Sequence, residues 1–326
     1  MRLIQRSFPR NQYDGPRGRV YREEEQIQAF RGARINQAAS VYSLDPVARV
    51  LRQLFENEAP PITHKDIKPD SAILVEGAQI TEACLGEAVD FLLKAFYNYY
   101  AQYSLAKAGY DTWSKITNYY SSFFSVHALL RLQGRCITRI WGGAKYLVFT
   151  SDLLQNQYVI IPNTQSDHVA AWRLFYHLYD RYSCSMTKFE LVHKRWFNDN
   201  LQPDIETEFR NAVNYRPYFG FREIWDPNLI PGLIDDYMNT SVSSADIIET
   251  LASLATDPDY RYFARSALRL LLVYELLDSI AQANPNIQGF WTERKVALQR
   301  FASTVLSLPK QDKCTFVVRF LEIMRL

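Results

Sequence analysis

Apolar side chains recur at three- and four-residue steps through most of the stretch between residues 80 and 134. This spacing places them on one face of an α-helix, because the helix turns once every ~3.6 residues. Gly109 and Gly134 interrupt the pattern, and glycine commonly ends a helix. We therefore expect two long helices that pack as an antiparallel pair across a short turn. Their apolar faces are Leu85, Ala88, Leu92, Phe96, Tyr99 and Tyr103 in the first, and Ile116, Tyr120, Phe123, His127 and Leu130 in the second.

The rest of the chain adds more helix and some β-prone sequence. Two runs rich in β-branched and aromatic residues flank a polar stretch, which predicts a small hairpin near 146–161, and Ile73–Val75 predicts a short strand. Ser166 and Pro203 mark the starts of two later helices, since a hydroxyl cap or a missing N–H is favourable there. The predicted fold class is predominantly α, with a small β-hairpin insertion and a C-terminal helical region.

Changes in composition along the chain predict four segments. Residues 1–60 form a basic N-terminal arm followed by a short helix, and residues 61–80 form a linker. The prolines and glycines of the arm predict that it lacks regular structure. Residues 81–232 form the helical core that contains the hairpin, and residues 243–326 form the C-terminal helical region.

The overall composition excludes several classes of protein. Lysine and arginine number 37 against 35 aspartate and glutamate residues. The chain therefore lacks the large excess of positive charge with which some proteins bind nucleic acid nonspecifically. The four cysteines form no CxxC pair, which is typical of free thiols in a reducing compartment and indicates no metal site. No apolar run approaches the ~20 residues of a membrane span. We therefore expect a cytoplasmic protein that needs no membrane, metal or cofactor.

One segment combines paired aromatic residues with small residues. Residues 118–134 have this composition, and the segment contains Ala-Leu-Leu near its end and closes with a glycine that is expected to end the helix. The small residues let a neighbouring helix approach closely, while the aromatic rings fill the gaps around it. They are Ser121, Ser122, Ser125 and Ala128. The segment resembles the second core helix of the HEPN superfamily, a group of helical bundles in bacterial toxin–antitoxin, defence and RNA-processing systems. The resemblance covers roughly residues 80–225 and implies a HEPN-like helical bundle.

A later segment resembles the RNA-cleaving motif of that family, in which a His follows an Arg after four to six residues, often with Asn beside the Arg. Arg210 and Asn211 match this motif, whereas Tyr215 stands where the His belongs. The resemblance implies an RNA-associated protein of a toxin–antitoxin or defence system, either a metal-independent ribonuclease or a degenerate relative. It implies that Arg210, Asn211 and Tyr215 are the catalytic positions. Candidate substrate-binding residues around them are Asn214, Arg216, Tyr218 and His193.

Metal-free RNA cleavage needs a base, an acid and a cation. The base activates the 2′-hydroxyl, the acid protonates the leaving oxygen, and the cation stabilises the developing charge on phosphorus. Arg210 or Arg216 supplies the cation, and Asn211 or Asn214 orients a phosphate. A tyrosine, with an unperturbed pKa near ~10, is a poor base at neutral pH.

Two other interpretations stay open. The helices also suit a non-catalytic interaction or scaffold subunit, joined to a protein partner or to further copies of itself, because tyrosine is common at interfaces. The basic arm suits a nucleic-acid-binding module. His127 lies on the apolar face of its predicted helix, which favours a hydrogen-bonded core histidine over a catalytic one.

Overall fold

The computed structural model of the protein describes residues 2–9, 45–68, 71–152, 156–180, 205–215 and 261–306, together with Leu251, Leu254 and Ala255. These residues contain seven helices and five strands, so the prediction of a predominantly α-helical fold is confirmed. The helices are α1 (Val47–Glu56), α2 (Ala78–Lys107), α3 (Asp111–Leu132), α4 (Asp167–Asp180), α5 (Ile205–Tyr215), α6 (Arg261–Ala283) and α7 (Pro285–Leu306). The strands are β1 (Arg2–Pro9), β2 (Ser71–Glu76), β3 (Arg135–Thr138), β4 (Lys145–Asp152) and β5 (Gln157–Asn163).

The predicted hairpin is confirmed, and it lies inside a larger sheet. Strands β4 and β5 pair antiparallel, with Val148 opposite Ile160. They belong to a five-stranded antiparallel sheet in the order β1-β2-β5-β4-β3. Strand β2 includes the strand predicted at Ile73–Val75. Strand β3 was not predicted, because its four residues are too few to show an alternating pattern.

Strand β1 occupies part of the arm that was expected to be irregular. Its backbone pairs with β2, with Leu3 opposite Val75 and Phe8 opposite Ala72. The partner strand supplies the hydrogen bonds that an isolated arm lacks, and Pro9 ends the strand where its missing N–H is tolerated. The expectation of an irregular arm is therefore wrong for residues 2–9, and residues 10–44 of the arm lie outside the described residues.

The two long helices end at the predicted glycines. Helix α2 ends at Lys107, just before Gly109, and α3 ends at Leu132, just before Gly134. Both glycines have positive φ angles, +82° and +68°, which side chains with a Cβ rarely adopt. The prediction of both helices is confirmed.

Side-chain hydrogen bonds show that α2 and α3 run antiparallel. Successive residues of α2 contact residues progressively earlier in α3, as expected for two helices joined by a tight turn. The three pairs are Glu87 with Arg131, Ala95 with Ser121, and Gln102 with Ser114. In the last two pairs, the serine hydroxyl donates a 2.9 Å hydrogen bond to the backbone carbonyl of the α2 residue.

The other described helices agree with the sequence patterns, except at one boundary. The hydroxyl of Ser166 accepts a 3.3 Å hydrogen bond from the N–H of Val169 and so caps α4. Helix α5 ends at Tyr215, directly before the Arg-Pro pair. The sequence predicts a helix near 291–307. In the structure this helix, α7, begins earlier, at Pro285, because proline fits the first turn of a helix. The sequence also predicts helices near 188–197 and 312–325, and both ranges lie outside the described residues.

The chain divides into two compact units, each assembled from separate segments. Unit 1 comprises residues 1–91, 126–184 and 279–289, and unit 2 comprises residues 92–125, 185–278 and 290–326. The apolar core of unit 1 packs α1 and the start of α2 against the sheet, and includes Leu51, Phe55, Ile80, Val148 and Ile160. The four segments predicted from composition stay a prediction.

A buried ion pair joins α2 and α3 within unit 1. Arg131 donates through Nε to the Glu87 carboxylate, which also accepts a 3.0 Å hydrogen bond from the N–H of Val47. Burial, the largest single effect, would lower the pKa of Arg131, but the charge and the hydrogen bond of Glu87, together with the nearby thiols of Cys136 and Cys84, raise that pKa above its ordinary value. Arg131 also contacts His127 Nδ1 at 3.1 Å and lies over the ring of Phe91. His127 is therefore a hydrogen-bonded core histidine, as expected.

We predict that Glu87→Gln destabilises the protein by about 3 kcal/mol, because it leaves the buried Arg131 cation without its counter-charge. Equilibrium unfolding in guanidinium chloride, followed by circular dichroism, measures the change. Glu293→Gln is the matched control, since 73% of the Glu293 side chain is exposed. Equal free energies of unfolding for the two variants would show that the ion pair contributes nothing.

Candidate functional site

Helix α5 carries four of the residues predicted to form a functional site. Its inward face buries Glu206, Ala212 and Val213. Arg210 is half-buried at the boundary, and the remaining three site residues are exposed. These three are Asn211, Asn214 and Tyr215. The inward face of the helix therefore packs against the rest of the unit, and the predicted site residues lie on its outward side.

Arg210 is the centre of the described part of the site. Its Nη2 donates a 3.3 Å hydrogen bond to the hydroxyl of Tyr120, and its Nη1 donates a 3.1 Å bond to Asn211 Oδ1. Its guanidinium carbon lies 5.6 Å from the centre of the Tyr215 ring, within the range of a cation–π contact. Partial burial, the largest single effect, would lower the pKa of Arg210, but the hydrogen bond to Tyr120 and the nearby tyrosine hydroxyls together raise that pKa. Arg210 is a permanent cation.

Tyr120 was not predicted as a site residue. It lies in the aromatic and small-residue segment of α3, and its place in the apolar pattern indicated a core position. The structure leaves it half-buried, in contact with Arg210 on a helix ninety positions later in the chain. The two segments that resemble HEPN motifs therefore touch within unit 2. The contact joins a tyrosine hydroxyl to a cation far away in the chain, and a single sequence does not show which distant residues pair.

A buried ionic cluster lies on the inward side of α5. Glu206 Oε1 accepts a 2.9 Å hydrogen bond from Arg269 Nη2, and Arg265 Nη1 lies 3.9 Å from the same oxygen. Arg269 also donates to the hydroxyl of Ser122 on α3, and Arg265 donates to the carbonyl of Ala255 at 3.1 Å. The Arg269 side chain is fully buried. The cluster ties α5 to α3 and α6.

Sequence reasoning missed the two arginines of this cluster. They lie four residues apart in a helix that is otherwise rich in leucine, so they share one face. Arginine is almost never fully buried unless it is paired, so this pattern signals a hidden acidic partner. From the sequence alone, Glu206 is an acidic residue near a predicted helix start, where it stabilises the helix N-terminus. It lies in the first turn of α5, and the structure adds the buried pairing.

The cluster positions Arg210. Glu206 and Arg210 are four residues apart on α5, so they lie one turn from each other along one side of the helix. Fixing Glu206 between two arginines fixes the rotation of α5 about its own axis. That rotation sets Arg210 beside Tyr120 and leaves Asn211 and Tyr215 in solvent.

The remaining predicted site residues lie elsewhere. Arg216, Tyr218 and His193 are outside the described residues. In the part of the chain that the structure describes, no cluster of three His, Cys, Asp or Glu side chains has the arrangement of a metal site. None of the described helices combines the length and the apolar run that a membrane crossing needs.

No protein-family model, curated protein or solved structure matches this chain. The similarity to HEPN proteins stays a prediction from the two short motifs. The function has to be inferred from the chemistry of the site.

We predict that Arg269→Met destabilises the protein by about 3 kcal/mol, because Glu206 loses the nearer of its two counter-charges while it stays buried. Thermal and guanidinium unfolding measure the loss. Arg300→Met is the matched control, because Arg300 is an exposed arginine in α7. If Arg269→Met unfolds at the same denaturant concentration as Arg300→Met, the cluster does not anchor α5.

Proposed function

We propose that this chain is a HEPN-like RNA-associated protein of the toxin–antitoxin or defence type, and that the Arg210 surface of α5 binds the RNA backbone. The observation that carries the proposal is the hydrogen bond between Arg210 and Tyr120. It joins the two segments that separately resemble HEPN motifs. It also places a cation at a partly exposed position, where a phosphate can reach it.

The side chains around Arg210 suit phosphate binding. A guanidinium presents a planar fork of N–H donors that matches two phosphate oxygens. The neighbouring amides of Asn211 and Asn214 are exposed and offer both donors and acceptors. Because Arg210 keeps its charge, it also suits stabilisation of the negative charge that develops when an RNA phosphodiester is cleaved.

The same surroundings favour RNA binding over rapid cleavage. The described partners of Arg210 are a tyrosine hydroxyl, an amide and a tyrosine ring. A tyrosine hydroxyl is a weaker general base at neutral pH than the histidine of the ribonuclease motif. We propose a degenerate relative of the HEPN ribonucleases that binds RNA, with cleavage slow or absent.

We predict that Arg210→Ala weakens the binding of single-stranded RNA about tenfold, because a charge-assisted hydrogen bond is worth about 1.5–3 kcal/mol. Fluorescence anisotropy of a labelled oligonucleotide measures the affinity over a series of salt concentrations. The slope of log affinity against log salt becomes shallower by about 0.7 for one lost phosphate contact. Arg300→Ala controls for the loss of one exposed positive charge.

Incubation of the same RNA with the purified protein separates the binding and cleaving versions. Intact RNA together with Arg210-dependent binding supports the degenerate relative. Cleavage that persists in EDTA and disappears in Arg210→Ala supports the metal-independent ribonuclease. Equal affinity of the Arg210 and Arg300 variants, or no RNA binding by the unaltered protein, would remove the proposal.

A second candidate function is a helical interaction subunit. Tyr110 and Trp113 flank the start of α3 and remain 55% and 53% exposed. Large aromatic residues are enriched at the centres of protein–protein interfaces, because they bury much area with little loss of conformational entropy. The function proposed on this observation is self-association through this end of unit 2.

We predict for this second candidate that light scattering on the purified protein gives a mass above that of one chain, 38.0 kDa. Trp113→Ala then lowers the measured mass toward that of the monomer, because it removes a large exposed aromatic side chain from the start of α3. Val296→Ala is the control, since Val296 is a smaller exposed apolar residue on α7. A monomeric mass for the unaltered protein would rule out self-association.

A further inference from the structure

Tyr215 is the most exposed of the large apolar side chains in the described residues. It is 70% exposed, compared with 62% for Tyr97 and 53% for Trp113. A single exposed aromatic ring is ordinary on a protein surface. Tyr215 differs in the groups beside it, because the Arg210 guanidinium lies 5.6 Å from its ring centre.

The polar groups beside the ring form a strip along α5. Arg210 and Asn214 are four residues apart, and so are Asn211 and Tyr215. Residues at this spacing are neighbours on one face of a helix. The strip therefore consists of one half-buried cation, two exposed amides and one exposed aromatic ring. We call these four residues the α5 strip.

The α5 strip matches the chemical parts of a nucleotide. A guanidinium binds phosphate, an amide reads the hydrogen-bonding edge of a base or a ribose hydroxyl, and an aromatic ring stacks on the face of a base. In a duplex, neighbouring base pairs cover the faces of each base. Only an unpaired base can stack on a lone protein ring.

We propose that Tyr215 is a stacking platform for an unpaired RNA base, with Arg210 bound to the adjacent phosphate. This inference rests on the proposed RNA-binding function and gives it a ligand class, single-stranded RNA. It also changes the role of Tyr215. In place of the poor general base that the motif comparison suggested, the residue is a binding platform whose useful part is its ring.

The platform tolerates different bases. Every base has a π-face, so stacking alone distinguishes bases weakly. The exposed amides of Asn211 and Asn214 are the groups of the α5 strip that can hydrogen-bond to a base edge. We therefore expect the two amides to determine any preference for particular bases. The ring and the cation contribute most of the affinity for RNA.

The test compares Tyr215→Ala and Tyr215→Phe in binding to a single-stranded RNA that carries the fluorescent base 2-aminopurine. We expect Tyr215→Ala to weaken binding about tenfold and to abolish the quenching that stacking causes, because one base–aromatic stack is lost. Tyr215→Phe keeps the ring and should keep both the affinity and the quenching. Tyr97→Ala, which removes another exposed tyrosine, should bind as the unaltered protein does.

Several outcomes would overturn the platform. If Tyr215→Ala binds and quenches normally while Arg210→Ala binds weakly, stacking is refuted and the proposed RNA function stands. If Tyr215→Phe loses as much affinity as Tyr215→Ala, the hydroxyl matters and the ring face does not. If duplex RNA responds to Tyr215→Ala as single-stranded RNA does, the ligand class is wrong. If the unaltered protein binds no RNA, both proposals fail.

Discussion

Hydroxyl groups of α3 that bond to the backbone of α2 hold the two central helices together, and unit 2 is built on this pairing. Ser121 and Ser114 each donate 2.9 Å hydrogen bonds to carbonyls of α2. A helical carbonyl already accepts one backbone bond and has a second lone pair free, so these bonds cost the helix nothing. With α3 fixed in this way, Tyr120 and Ser122 lie where α5 and α6 can reach them.

Helix α5 has one buried side and one exposed side. Glu206 is buried between two guanidinium groups, Arg210 is half-buried, and Tyr215 is in solvent. Burying a charge is costly unless a partner compensates it, so the ion pairs of the buried side fix the helix in one orientation. The outward-facing strip is therefore supported from the buried side of the same helix.

The features that could be predicted from sequence depend on residues close together in the chain. The ends of α2 and α3 follow from glycines at positive φ, and the cap of α4 follows from one serine. The missed features depend on distant partners. Strand β1 forms because β2 is available to pair with it, and a serine far earlier in the chain accepts a hydrogen bond from Arg269. The predicted site was located only in part, since Tyr120 joins it across ninety positions.

The separation of these partners along the chain bears on how the protein is made. Ser122 and its buried partner Arg269 are 147 positions apart, and Glu206 is 63 positions from the same arginine. A ribosome that has not yet reached residue 265 has produced α3 and α5 but neither of the two arginines that pair with Glu206. On such a nascent chain, the carboxylate keeps α5 hydrated, because an unpaired charge stays in water. The buried support of the α5 strip is therefore complete only after Arg269 has been synthesised.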